Sequence, residues 1–148
     1  MSNTPRPFSP LRLDHVVLRT AKVEDLLVFY QALGCEIVRT LADLGLHQLR
    51  AGDSIIDIVD VHGALGTQGG AAPGIEGRNM DHFALRIDPF DAPAVRAYLT
   101  SLDAEYSELP FPVFGAEGYG HSIYVKDPDG NTVELKGPPN ADQTPPDL

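Results

Sequence analysis

Cysteine occurs once, at Cys35, and no apolar run approaches the length of a bilayer span. A single cysteine excludes an internal disulfide framework and fits a reducing cytoplasm. The opening MSNTPRPFSP is too polar and too proline-broken to read as a secretion signal. Basic residues are also few: 11 Lys and Arg stand against 21 Asp and Glu, a formal charge of −10. That balance argues against nucleic acid and anionic membranes as partners, because both call for basic surfaces. It is neutral toward small uncharged substrates and mildly favours cationic ones. What remains is ordinary for a globular chain: 148 residues, 43% hydrophobic and 22% charged, enough for one packed domain or two modules sharing a core.

The first distinctive feature is a repeat. DHVVLR at residues 14–19 returns as DHFALR at 81–86, with four of six letters identical. The elements around it repeat as well. LRLDHVVLR reads as a strand with His15, Val17 and Arg19 on one face. A helix follows with Val23, Leu26, Leu27 and Tyr30 on its apolar stripe, and Gly34 is placed to end it. CEIVRTL, LHQLRAG and SIIDIVDV are then strands, the last two joined at Gly52-Asp53. In the second half DHFALRI is a strand, and a helix opens at Asp91 with Pro93 in its first turn and Val95, Tyr98, Leu99 and Leu102 as its stripe. EYSEL, HSIYVKD and TVELKG complete the order, with DPDGN (127–131) as a hairpin turn.

The chain therefore reads as an α+β fold of two βαβββ modules, 11–61 and 81–137. Residues 62–80, with six glycines, form the expected linker, and 1–10 and 138–148 read as disordered tails. The piece FGAEGYG (114–120) has the composition of a lid, but reads as an ordinary loop interrupting the second module.

Histidines at matching places in duplicated strands can point into a common space, which makes His15 and His82 candidate metal ligands. Glu134, between Val133 and Leu135, is an acid in an apolar strand and needs a partner there. Its counterpart in the first module is Asp57, between Ile56 and Ile58. Asp60 is also flanked by apolar residues but faces the other way, so strand parity decides between them. Two imidazoles with one or two carboxylates suit a divalent ion, Zn, Fe, Mn, Ni or Co. His47, His62 and His121 have no repeat partners and read as structural or solvent-facing.

With LDHVVLRT, VEDLLVFYQALG, DHFALRI and SIYVKDPDGNTVELKG in place, residues 11–137 resemble the vicinal oxygen chelate superfamily. That superfamily includes glyoxalase I, extradiol dioxygenases, fosfomycin-resistance thiol transferases and bleomycin-binding proteins. The resemblance implies that the paired modules curl into a curved sheet cleft around a metal, in a homodimeric enzyme acting on a small oxygenated substrate. The pattern is most similar to glyoxalase I, whose His, Glu, His, Glu ligands fall on His15, Asp57, His82 and Glu134. The implied reaction is a lyase or isomerase step on a thiol adduct through a metal-stabilised enediolate, with Glu134 as the catalytic base and Arg19 as a substrate contact. Asp57 is one methylene shorter than that family's Glu, and Val61 stands where a thiol-binding Asn is common. An extradiol dioxygenase is the alternative enzyme. His15, His82 and Glu134 match its Fe(II) ligands and Tyr124 part of its signature, but Gly115 stands where its acid–base histidine is expected. A metal-free protein sequestering a cationic drug is the non-enzymatic alternative. It fits the charge and leaves the His/His/Glu set unexplained.

Overall fold

The computed structural model describes residue 7 and residues 9–108 and 110–141. The chain forms β1 (His15–Thr20), α1 (Val23–Ala32), β2 (Glu36–Leu41), β3 (Leu46–Ala51) and β4 (Ser54–Asp60). It then repeats the order as β5 (Phe83–Arg86), α2 (Ala92–Ser101), β6 (Phe111–Gly115), β7 (Gly118–Lys126) and β8 (Thr132–Pro139). Each half makes its own four-stranded sheet, ordered β1-β4-β3-β2 and β5-β8-β7-β6. In both, the first strand runs parallel to the last and the other neighbours are antiparallel. The two βαβββ modules anticipated from the repeat are therefore present.

The helices form where the apolar stripes place them. On α1, Leu26, Leu27, Phe29 and Tyr30 are buried, and Gly34 ends the helix at φ +96°, a conformation that costs glycine little. Asp91 caps α2 by accepting the Ala94 N–H at 3.0 Å, and Pro93 sits where no helical N–H is needed. The stripe on α2 is weaker: Leu99 is fully buried, but Tyr98 is half exposed and Leu102 lies past the last helical residue. A single apolar cluster joins the halves, taking Leu18, Leu49, Ile56 and Ile58 from one and Ile123, Val125, Val133 and Leu135 from the other. Each such side chain contributes roughly 1.5–3 kcal/mol on burial. Among the described residues no helix is long and apolar enough to cross a membrane.

The turn at Asp127–Asn131 does more than connect β7 to β8. Its first carboxylate, Asp127, is buried yet accepts four hydrogen bonds: from Tyr30 Oη, from the backbone of Asp129 and Asn131, and from the Asn131 amide. Thr20 donates to Asp129 at 2.7 Å, and Lys22 to the Pro128 carbonyl at 3.1 Å. The second module's turn is thus held by β1 and α1 of the first. Asn79 completes the seam. It bonds both the N–H and the C=O of Arg19, as a neighbouring strand would, and donates to Asn131.

Three sequence expectations need revision. Of the expected strand EYSEL, residues 105–108 are irregular with one bridge, Tyr106 to Val125, and Leu109 lies outside the described residues. The outer strand is β6, and FGAEGYG is no interrupting loop but the tip of the β6–β7 hairpin, with Gly115 opposite Gly118. Pro112 and the glycines conceal the alternation that marks a strand, and they are tolerated because β6 lies at a sheet edge. Third, β8 runs to Pro139, two residues into the segment expected to be a tail. Residues 1–6, 8 and 142–148 of the expected tails lie outside the described residues. The 62–80 connection carries a 3-10 turn, Gly66–Gly69, and folds back over Arg19.

Candidate metal centre

Strand register places the candidate ligands. In the first sheet Val17, Asp57, Gln48 and Arg39 are Cα partners across four strands, and His15 lies two residues before Val17 on the same face. In the second, Ala84, Glu134 and Tyr124 form the matching row, and His82 lies two residues before Ala84. Parity thus puts Asp57 with His15, and Asp60 on the other face. Asp60 instead accepts the His62 N–H at 2.9 Å and sits 3.3 Å from the His62 ring.

The second module's pair is in contact. His82 Nε2 lies 3.2 Å from Glu134 Oε2. Glu134 is only 5% exposed, and its other oxygen, Oε1, accepts the Ser122 hydroxyl at 2.6 Å. Tyr124 approaches from the next strand, its ring 5.7 Å from that of His82 in an edge-on arrangement. Burial, followed by the charge and hydrogen bond of Glu134, pushes the Tyr124 phenol upward. In the first module Asp57 is buried and accepts the Gln48 side-chain amide at 2.9 Å. The His15 pKa is raised, first by the Asp14 hydrogen bond; burial opposes this, and the Asp57 charge adds a lesser upward push.

The donor chemistry suits a cation. Each histidine is held at Nδ1 by the aspartate before it, Asp14 at 2.9 Å and Asp81 at 2.5 Å. A carboxylate can only accept, so Nδ1 carries the proton and Nε2 is left as the electron-pair donor. This is the carboxylate–histidine arrangement that orients imidazoles toward metals. The hydrogen bond from His82 also holds Asp81 below the usual carboxylate range. At Nε2 of His82 and Oε2 of Glu134 two electron pairs face one another, an attractive contact only when a proton or a metal ion lies between them.

The four expected ligands fall as two sets: His82 and Glu134 are in contact, and His15 and Asp57 share a sheet face. Among the described residues, no group of three or more His, Cys, Asp or Glu is gathered to hold an ion. Arg19, expected to contact substrate, has its guanidinium on the 62–80 segment, donating to the carbonyls of Gly66, Gly70 and Ala71 at 3.0, 2.8 and 3.2 Å. His47 meets Thr40 at 3.5 Å, and His121 lies opposite Pro112 on β7. Sequence reasoning missed Ser122 and Gln48, which are identifiable only from register. It also passed over Asp14 and Asp81, although both were visible as the first letter of the repeated DH motif.

The sequence profile of the Glyoxalase/Bleomycin resistance protein/Dioxygenase superfamily matches residues 12–135. Solved structures share the fold. A virulence protein of Salmonella typhimurium is 22% identical, with a TM-score of 0.71 over 88% of this chain and 99% of that one. A lactoylglutathione lyase of Agrobacterium tumefaciens is 20% identical, at 0.62 over 89% and 96%. The genomically encoded fosfomycin resistance protein FosX of Listeria monocytogenes is 19% identical, at 0.64 over 86% and 91%.

Proposed function

As the chain belongs to the Glyoxalase/Bleomycin resistance protein/Dioxygenase superfamily, we propose that it is a metal-dependent lyase or isomerase of the glyoxalase type, active as a homodimer. The observation that carries this reading is the matched pair of half-sites. Each has one imidazole fixed at Nδ1 by the preceding aspartate and one buried carboxylate on the same face. A second copy would bring His15 and Asp57 of one chain to His82 and Glu134 of the other, giving the four donors that neither pair supplies alone. A divalent ion held there would polarise two neighbouring oxygens of a small substrate.

The protein's own contribution is proton movement. Ser122 fixes Oε1 of Glu134, so Oε2 is the oxygen left to take a proton from the substrate carbon and return it next door. Tyr124, bonded to the same carboxylate, keeps it oriented while the proton is carried. Asp81 keeps the His82 ring from rotating away. The drug-sequestering reading gives no purpose to two oriented imidazoles, since sequestration needs no electron-pair donors.

Elemental analysis of untagged protein tests the proposal. The expected result is stoichiometric divalent metal that is lost in His82→Ala while the dimer stays folded. Unchanged metal in that variant overturns it. Assay under nitrogen then separates the chemistries, because a lyase keeps turning over without oxygen and a ring-cleaving dioxygenase stops.

A further inference from the structure

Two residues beyond Glu134 on β8, and on the same face, lies Lys136. It is 7% exposed, and its register partner on β7 is Ser122, the residue that holds Glu134. Its ammonium donates to the Gly118 carbonyl at 3.2 Å, a long contact to a neutral atom. Among the described residues no carboxylate comes within ion-pair range of it. Burying an ammonium without a counter-charge is costly, and a fold retains such a group only where something offsets the cost.

The surroundings are shaped around this side chain. A Cβ added to Gly115 would come within 2.6 Å of Lys136 Cε, and one on Gly120 within 3.0 Å of Nζ. The glycines of the β6–β7 hairpin therefore give the lysine its room. Arg86, the register partner of Lys136 on β5, adds a second cation, and Glu117 at the hairpin turn answers Arg86 alone, at 2.7 Å. With Glu134 about 7 Å along the strand, two carboxylates stand near the two cations, but Glu117 pairs with Arg86 and Glu134 faces His82, so neither is in ion-pair range of Lys136. At physiological salt the distant acids are screened beyond about 8 Å, so the overall charge of −10 does not by itself exclude an anion at Lys136.

We propose that Lys136 is the anion-binding point of the candidate site, and that the substrate is a small acid whose carboxylate, phosphonate or phosphate group rests on Nζ while its neighbouring oxygens reach toward Glu134 and His82. Residues two apart on a strand are separated by about 7 Å, the span of a short oxygenated acid. The inference deepens the metalloenzyme reading and rests on it for the role of Glu134. It also disfavours a cationic organic substrate at Lys136.

The test uses the full-length chain, as purified and after chelator treatment, titrated calorimetrically with inorganic phosphate and separately with glycolate. At least one should bind saturably, and whichever binds more tightly names the anion class. Lys136→Met should weaken that binding at least about tenfold, the effect of losing a charge-assisted bond. Metal content should not change. The ligand-free Met variant should melt higher than wild type, because an uncompensated charge has been removed, and the anion should raise only the wild-type melting temperature. Lys136→Gln substitutes where the Met variant does not fold, and the wild-type melting shift stands without either. Binding of neither anion to wild type, equal binding by variant and wild type, or a Met variant that melts lower overturns the inference. A failure of metal uptake in wild type and variant alike strikes the metal reading and leaves the anion result to be judged separately.

Discussion

The side-chain amide of Gln48 donates to Oδ1 of Asp57 at 2.9 Å, from the register position that Tyr124 occupies beside Glu134 in the other module. The two carboxylates are thus supported alike from the adjacent strand, but unequally. Each commits one oxygen, Asp57 to the Gln48 amide and Glu134 to the Ser122 hydroxyl, but Asp57 is one methylene shorter, and Glu134 brings its other oxygen to 3.2 Å from His82.

Their contributions to metal affinity should therefore rank. Glu134→Ala should cost more than the roughly 10–100-fold typical of losing an outer partner. Asp57→Ala should fall within that range, and Gln48→Ala near its lower end. Competition with a chelator of known affinity measures all three, and a larger loss for Asp57→Ala would show that the fourth donor has been misjudged.

Sharing of the site between chains has a sharp signature. His15→Ala and His82→Ala homodimers should each fail to hold metal. Unfolded and refolded together, they should give mixed dimers in which one site is intact and the other carries both substitutions. Recovery of metal and activity in the mixed fraction is the expected result. No recovery, with mixed dimers demonstrated by mass, would place each site within one chain.

Tyr30→Phe should destabilise the fold by about 1–2 kcal/mol, because Asp127 loses one of its donors while buried. Burial and the Asp127 charge hold the phenol far above its ordinary value of 10.0. The unfolded chain therefore releases this proton first. The stabilisation is complete below about pH 10 and declines as pH rises past it. Urea midpoints at about pH 8 and about pH 11 should draw together for wild type and variant. A gap that widened with pH would contradict the linkage.

The connection between modules should be unevenly tolerant. A Cβ on Gly66 would stand 1.9 Å from the Asp60 carbonyl, an atom of backbone that cannot turn aside. Gly66→Ala should cost about 2 kcal/mol or more. At Gly74 nothing lies within 4 Å, and Gly74→Ala should be neutral. Equal melting temperatures for the two variants would show that the segment does not pack on β4 as described.

Much of this fold is legible in the sequence. The stripe from Leu26 to Tyr30 and the turn DPDGN carry their own periodicity, and the repeated DH made His15 and His82 stand out. What was hidden depends on register. Ser122 and Gln48 matter because of the residue opposite them, and a slip of one position would turn each to the other face. The same holds for Asp57 against Asp60, which read alike in the string and diverge only once β4 is paired with β1. β6 was hidden for another reason: Pro112 and the neighbouring glycines lack the pattern of a strand, and pairing with β7 supplies what composition withholds.

The knot at Asp127 also bears on descent. In module one the corresponding turn has only Gly52 and Asp53 between its strands, too short to offer the ring of acceptors that Tyr30, Thr20 and Lys22 engage. The halves have therefore ceased to be interchangeable. A chimera of two first modules would inherit the reaching side chains with nothing to grasp, and one of two second modules would inherit the grip with nothing to hold.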